Sequence, residues 1–411
     1  MTEREYATDV VRTLQQAGFR ALWAGGCVRD ERLGLAPNDY DIATDARPEQ
    51  VQKLFRRTLA VGASFGVIEV IGPRGGDGGH LTVEVATFRS DGTYSDGRRP
   101  DAVTFSSPED DARRRDFTVN GMFFDPIAGM LHDFIGGQAD LDAKVLRAIG
   151  DPAERFAEDK LRVLRAVRIA SRFGLEIDPA TLAAAVRTAP QIRAVSAERI
   201  AEELRRLLVH ASRPRGVRLL REVGLVEPVL PELVSGTAWE HAVGVIDRLE
   251  PPTWPRPEPV SFPLAFAALL HEVGKRAAEK IADRLRLSTA EKVRTAWLVE
   301  KHQYLADAPT MRASRLKPIL VHPGIGELLA LHRAGGHLEG VEFCERVLRE
   351  TPPDELDPPP AVTGEDLIAL GMQPGPEFKR LLDAVRVEQL DGGVRSKAEA
   401  LELVARLRAG S

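Results

Sequence analysis

Several common readings are excluded by what this sequence lacks. Two cysteines in 411 residues, Cys27 and Cys344, are too few for a disulfide framework or a cysteine-rich zinc site. No apolar run approaches the roughly 20 residues that a membrane-spanning helix needs. The opening "MTEREYATDVVRTL" is acidic and amphipathic, unlike a secretory signal, so the expected location is the cytoplasm. A basic surplus is also missing. The formal net charge of −5 argues against a protein that coats nucleic acid through bulk charge, and leaves room for a local basic patch. What is present is globular in type, with 43% hydrophobic and 28% charged residues, over a length that exceeds one domain.

One basic patch is visible. Arg193, Arg199, Arg205, Arg206, Arg213, Arg215, Arg218 and Arg221 face only Glu198, Glu202 and Glu203 in the same stretch. It reads equally as a surface for an anionic partner or as a solvated helix face with internal ion pairs.

The pattern along the chain predicts an α+β protein: a head with a small mixed β-sheet at 1–150, then helices throughout. In the head, Phe19–Trp23 and Tyr40–Ala43 read as strands, and "SFGVIEVIG" and "HLTVEVATFR" as a hairpin joined by a Gly-rich link. After Asp151 the strands stop, and "DPAERFAEDKLRVLRAVRIASRFG" carries helical periodicity closing on Gly174. Proline-rich breaks at "LEPPTWPRPEPVSFP" and "TPPDELDPPP" divide the remainder into a helical neck at 151–235, a helical body at 236–350 and a helical tail at 351–411.

The chemistry concentrates in "LWAGGCVRDERLGLAPNDYDIAT", Leu22 to Thr44. Residues i and i+2 of a strand point to one face, so Asp39 and Asp41 project together. Two hard oxygen donors a few ångströms apart suit Mg²⁺ with substrate phosphates, and two such ions activate an attacking hydroxyl and stabilise a leaving pyrophosphate. Gly25-Gly26 ahead of a helix offers backbone N–H groups to a phosphate.

The order Gly-Gly, Arg-Asp, Asp-x-Asp resembles the first motif of the class II tRNA nucleotidyltransferase and bacterial poly(A) polymerase family, part of the DNA-polymerase-beta-like superfamily. "RRRDFTVNGMFFDP", "LHDFIGGQADLDAKVLRAIGDP", "RFAEDKLRVLRAVRIASRFG" and "AERIAEELRRLL" are similar to its later motifs, in order. The resemblance implies that Asp39 and Asp41 hold the catalytic metals. Gly25 and Gly26 would then meet the incoming triphosphate, braced by Arg29 and Asp30. Glu84 is a candidate third carboxylate. Arg114, Arg115, Asp116 and Asn120 are implied near the ribose and phosphates, with Asp116 accepting from the ribose 2′-OH. Three consecutive arginines, at 113–115, call for an anionic partner.

The resemblance assigns base reading to Asp159 and Arg162, with Glu158 and Arg165 alongside. Three apart on a helix, Asp159 and Arg162 share a face. Cytosine and adenine each present an exocyclic amine beside an unprotonated ring nitrogen, which a carboxylate and a guanidinium match. Guanine and uracil present a carbonyl and an N–H there, and both contacts become repulsive. The implied activity is therefore addition of CCA to a tRNA 3′ end from CTP and ATP, with the protein as template. Arg89–Phe105 reads as an exposed loop that the family uses in switching from C to A, which argues against a cytidine-only enzyme.

Two regions leave the pattern open. "AFAALLHEVGK" resembles the start of an HD-type phosphohydrolase motif, with His271-Glu272 where His-Asp is required, and His241 and His302 as candidate further ligands. The tail resembles family regions that grip tRNA, with Arg380, Arg386, Arg395 and Lys397 as candidate phosphate contacts. The alternatives are an A-adding tRNA enzyme, a poly(A) polymerase, and, from another class, an HD-type hydrolase or RNA-binding protein with an inactive head. The acidic balance and the absence of a strongly basic extension favour the tRNA enzyme over the polymerase.

Overall fold

Alternating apolar residues build the sheet that carries the Asp-x-Asp segment. The computed structural model of the chain describes residues 1–62, 66–76, 78–92, 103–234 and 237–409. They form two units, Met1–Pro231 and Glu232–Ser411.

The first unit opens with helix α1, Glu3–Gln16, started by a reciprocal capping box between Thr2 and Glu5. Strand β1, Ala21–Ala24, then turns at Gly25 into helix α2, Gly26–Arg32, and the chain returns as β2, Asp41–Thr44. After α3, Pro48–Leu54, come β3, Thr58–Gly62, β4, Val67–Arg74, and β5, His80–Thr87. The predicted hairpin is β4 against β5, antiparallel, with Ile68 opposite Val85. Short strands β6, Arg89–Asp91, and β7, Val103–Phe105, pair at the base of the predicted loop, whose residues 93–102 lie outside the described residues. Helix α4, Pro108–Arg113, precedes β8, Phe123–Asp125, and β9, Met130–His132. The sheet order is β3-β4-β5-β2-β1-β8-β9. The β2–β5 pair is parallel and the others antiparallel, so the sheet is mixed, as expected.

Helix α5, Gly137–Asp142, and β10, Val145–Leu146, lead to α6, Pro152–Glu158, and α7, Leu161–Phe173. The helical periodicity of 151–174 predicts one continuous helix. The structure breaks it at Asp159, which is extended (φ −146°, ψ 106°). Gly174 ends α7 in the left-handed region at φ 66°, the C-cap predicted from its position. The strands also continue past Asp151: β11, Glu176–Ile177, pairs in parallel with β10. Helices α8, Pro179–Thr188, α9, Ala197–Leu208, and α10, Arg213–Glu222, complete this helical part.

The second unit is helical. Helices 238–248, 262–270, 289–301 and 325–334 belong to its larger part. The C-terminal helices close over Val362, Leu367, Leu381, Val385, Ala400 and Val404. Among the described residues no helix is long and apolar enough to cross a membrane.

Candidate active site

The site is aimed by Tyr40. Its ring is buried against Trp23, 4.8 Å between centroids, and its hydroxyl donates to Glu31 Oε1 at 2.5 Å. Side chains of extended backbone alternate. Fixing Tyr40 inward therefore places Asp39 and Asp41 together on the opposite side, where both line a cavity of about 910 Å³. Gly25, Gly26, Arg29, Arg114, Arg115, Asp116, Asn120, Asp159, Arg162 and Arg165 line the same space.

The two glycines differ. Gly25 has φ +76°, and a Cβ there would meet Arg115 Nη1 at 2.7 Å; Gly26 has nothing closer than Arg29 Nη2 at 3.7 Å. Only the first is required by the backbone and by the close approach of an arginine.

Eight arginines and five aspartates line the cavity, a balance that favours an anionic ligand. Three of the aspartates are held by guanidinium groups: Asp30 by Arg29 at 2.6 Å, Asp116 by Arg165 at 2.6 Å, and Asp159 by Arg199 at 2.6 Å. Asp39 and Asp41 have no such partner among the described residues. Asp41 opens to solvent yet is densely surrounded by protein. Desolvation first, then the charges of Asp39 and Glu84, push its carboxyl up to about 7, against the opposing pull of Arg115.

This is the donor set a divalent cation fits: paired hard oxygens, self-repelling, beside groups suited to phosphate. Glu84 stands opposite Asp41 in the β2–β5 register, but it does not line the cavity. Among the described residues no three His, Cys, Asp or Glu gather closely enough to hold a metal. Asp39 and Asp41 are the two carboxylates that line the cavity, and the charge of Glu84 acts on Asp41 from the neighbouring strand.

The anionic partner demanded by the three arginines is partly internal. Buried Asp111 accepts from Arg114 Nε at 2.8 Å and from Arg115 Nη2 at 2.9 Å. Burial would raise its carboxyl, but Arg115 and Arg114 outweigh that and hold it below the usual range. One carboxylate between two guanidiniums fixes both and leaves a net positive charge. Asp111 was missed in the sequence, although it stands three and four residues before the arginines it holds, the helical pairing distance.

Asp116 also differs from expectation. Oδ2 accepts from Arg165 Nε and Nη2 at 2.9 and 2.6 Å, and Oδ1 from the Phe117 N–H and Asn120 Nδ2 at 2.8 and 3.0 Å. That fills the hydrogen-bonding capacity of a carboxylate and leaves none for a ribose hydroxyl. Despite full burial its pKa lies well below the ordinary range, because Arg165 and Asn120 stabilise the ionised form.

Asp159 and Arg162 meet the cavity from two segments instead of one helix face. Asp159 accepts from Arg199 and from the Leu161 N–H at 3.1 Å. Arg162 Nη1 donates to Glu158 Oε2 and to the Arg155 carbonyl at 3.0 Å. Glu158 faces a separate cavity of about 250 Å³ beside Arg114 and Arg155, so it sits behind Arg162. The basic patch is divided: Arg199 holds Asp159, Arg205 and Arg206 share Glu202, and Arg215 binds the Leu175 carbonyl and Glu176, while Arg193, Arg206, Arg218 and Arg221 remain exposed. Arg168, Arg172 and His210 line the main cavity without any forewarning in the sequence.

The HD-like region lies in the second unit, on a cavity of about 400 Å³ lined by His241, His271, Glu272, His302 and His337 among others. His241 pairs with Glu272, His271 Nδ1 lies 2.9 Å from the Ala268 carbonyl, and His302 Nδ1 lies 2.7 Å from that of Val299. The His271 and His302 rings meet at 5.4 Å between centroids and His271 Nε2 lies 3.8 Å from Glu272 Oε1, but among the described residues no three His, Cys, Asp or Glu form a group that could hold a metal. In the tail, Arg386 pairs with Asp357 and Lys397 with Asp366, each at 2.6 Å, and Arg380 pairs with Glu377 at 3.5 Å.

Comparison with known proteins agrees with this geometry. Residues 21–147 match the "Poly A polymerase head domain" and residues 174–236 the "Probable RNA and SrmB-binding site of polymerase A". The CCA-adding enzyme of Levilactobacillus brevis is 32% identical over 410 residues, covering 97% of this chain and 96% of the relative. That of Geobacillus stearothermophilus is 32% identical over 406 residues, covering 96% and 95%. The crystal structure of the Bacillus stearothermophilus CCA-adding enzyme in complex with CTP superposes with a TM-score of 0.77 at 28% identity, over 100% of this chain and 98% of that one. With a fold, a cavity and full-length relatives in agreement, the chain belongs to the CCA-adding enzyme family, whose members work with a divalent metal ion.

Proposed function

We propose that this protein is a template-independent tRNA nucleotidyltransferase that adds CCA to the tRNA 3′ end from CTP and ATP, in the cytoplasm. The observation that carries the reading is the single cavity joining the unpartnered pair Asp39–Asp41 to Asp159 and Arg162, in a chain of this family.

The metal is read as Mg²⁺, held by Asp39 and Asp41, because hard carboxylates beside phosphate groups suit it. When bound there, it supplies acidification of the attacking hydroxyl and charge neutralisation at the leaving pyrophosphate. Arg114 and Arg115, immobilised by Asp111, bind the triphosphate, with the Gly25 turn giving the phosphates close access to backbone. Arg165, fixed by Asp116, and Asn120 orient the ribose. Asp159 accepts from the exocyclic amine of C or A, and Arg162 donates to the adjacent ring nitrogen. Arg199 and Glu158 hold these two in register. The tRNA 3′ oxygen then forms a bond to the α-phosphorus as the α–β phosphoanhydride breaks and pyrophosphate departs. By this reading, 1–150 is the catalytic head, 151–235 the neck that reads the base, 236–350 the body, and 351–411 the tail that meets tRNA.

The test is incorporation of labelled CTP and ATP into tRNA transcripts ending before CCA, after C and after CC. Ordered addition of C, C and A is expected. ATP addition to the CC end alone would select an A-adding enzyme, and long A tails on unrelated RNA a poly(A) polymerase.

A further inference from the structure

Next to the proposed base-reading residues, the cavity continues over Ile169, Arg172, Arg206, Val209 and His210, to which the reading above gives no task. Arg172, in the last turn of α7, has its Nε buried with no hydrogen-bond partner among the described residues. Its guanidinium instead lies 5.2 Å from the Phe173 ring centroid, and Arg29 packs on the same ring at 3.9 Å. A helix C-terminus favours a cation, but it does not account for a buried N–H left unmatched, which is unfavourable. Arg206 pairs with Glu202 at 2.9 Å, stays exposed, and brings a second cation to the same stretch of the cavity.

His210 adds a neutral donor. Its Nδ1 accepts from the Ser212 N–H at 3.1 Å and lies 2.8 Å from Ser212 Oγ, which assigns the ring proton to Nε2. Burial, together with the charges of Arg172 and Arg213, holds the ring below its usual pKa, so it meets an anion as an N–H donor without a charge of its own.

We propose that Arg172, Arg206 and His210 form a second anion subsite that holds a backbone phosphodiester of the RNA strand close to its 3′ end, apart from the triphosphate bound at Gly25, Arg114 and Arg115. Ile169 and Val209 give the neighbouring sugar and base an apolar wall. The inference rests on the tRNA nucleotidyltransferase reading for its ligand. The same phosphate chemistry has a second source, the triphosphate itself, and the test separates the two.

Full-length protein and its Arg172→Ala, Arg172→Lys and His210→Ala variants are compared in three measurements. These are binding of a tRNA transcript lacking CCA across a KCl series, binding of Mg²⁺-CTP by equilibrium dialysis, and the KM for each substrate. Arg172→Ala is expected to weaken RNA binding about tenfold and to lower the log–log salt slope by about 1. The KM for tRNA rises while CTP binding and its KM stay unchanged. Arg172→Lys keeps the salt slope, and His210→Ala raises the KM for tRNA while leaving the slope intact. A loss of CTP affinity with unchanged RNA affinity would overturn the proposal and move Arg172 to the triphosphate. Unchanged RNA affinity and slope in Arg172→Ala would overturn it outright. Thermal melts check folding, and should Arg172→Ala unfold, His210→Ala decides through the same KM split. If the wild-type protein binds the transcript yet incorporates no nucleotide, the functional reading falls while the RNA-binding comparison still decides the subsite.

Discussion

The arginine-lined cavity of the first unit and the histidine-lined cavity of the second differ in how their charges are partnered. In the second, Glu272 is held by His241, His271 and His302 turn to backbone carbonyls of their own helices, and Arg248 Nε donates to the Ala334 carbonyl at 2.7 Å. In the first, the fold immobilises arginines on aspartates and, among the described residues, leaves Asp39 and Asp41 without an ion-pair partner. A cavity whose polar groups satisfy one another is complete as protein structure. One that keeps like charges together is complete only with a ligand, and perturbed groups there mark function.

The comparison breaks most easily on activity. Asp39→Ala or Asp41→Ala is expected to lower kcat for CTP incorporation by at least about 10³-fold, the scale of lost electrostatic stabilisation in the transition state. His271→Ala and Glu272→Ala, at residues that line a different cavity from Asp39 and Asp41, should leave it within about twofold. Steady-state rates on one tRNA transcript check both. Equal losses in the two cavities would erase the distinction.

Next is stability at Asp111, a buried carboxylate that anchors two arginines. Asp111→Asn breaks both ion pairs and should cost about 3 kcal/mol in urea unfolding at pH 7. The sign with pH follows from a folded pKa held below the unfolded value. The contribution is present above the unfolded pKa of about 3.9 and is lost as pH falls through the folded one. The difference between wild type and variant should therefore shrink below about pH 4. A constant difference would mean that packing, and not charge, is what Asp111 supplies.

A smaller effect is expected where base choice is held from behind. Arg199→Ala leaves Asp159 buried without its guanidinium, and discrimination of CTP over UTP should fall about 10- to 100-fold. The ratio of kcat/KM for the two nucleotides measures it, and an unchanged ratio would place base selection elsewhere.

Much of this was legible from local pattern. The period-2 strands, the Gly174 cap and the Asp-x-Asp alternation are short-range features, set by backbone geometry and by Tyr40 packing on Trp23. The break at Asp159 was not. The apolar periodicity of "RFAEDKLRVLRAVRIASRFG" runs through it, whereas Arg199, forty residues away in sequence, fixes the extended conformation by holding the carboxylate. The full occupation of Asp116 was likewise invisible, because Arg165 arrives from another element. The internal partner of Arg114 and Arg115 was within reach at helical spacing. Side-chain partners across long sequence separations decide which charged residues are free to act, and a single sequence does not carry that information.

The mildest test concerns Asp41 alone and asks whether the unpartnered pair is a burden on the metal-free protein. Its folded pKa, about 7, lies above the unfolded value of about 3.9. Ionising it in the folded state is therefore unfavourable. The penalty grows as pH rises from the unfolded pKa to the folded one and stays constant above. With chelator present, Asp41→Asn should raise Tm by a few degrees at pH 8 and change it little near pH 4. Mg²⁺ should raise the Tm of the wild type at pH 8 and do much less for the variant, because the cation removes the same repulsion that the amide does. Thermal melts at the two pH values, with and without Mg²⁺, check this. Equal stabilisation of both proteins by Mg²⁺ would place the ion away from Asp41 and dissolve the contrast between the two cavities.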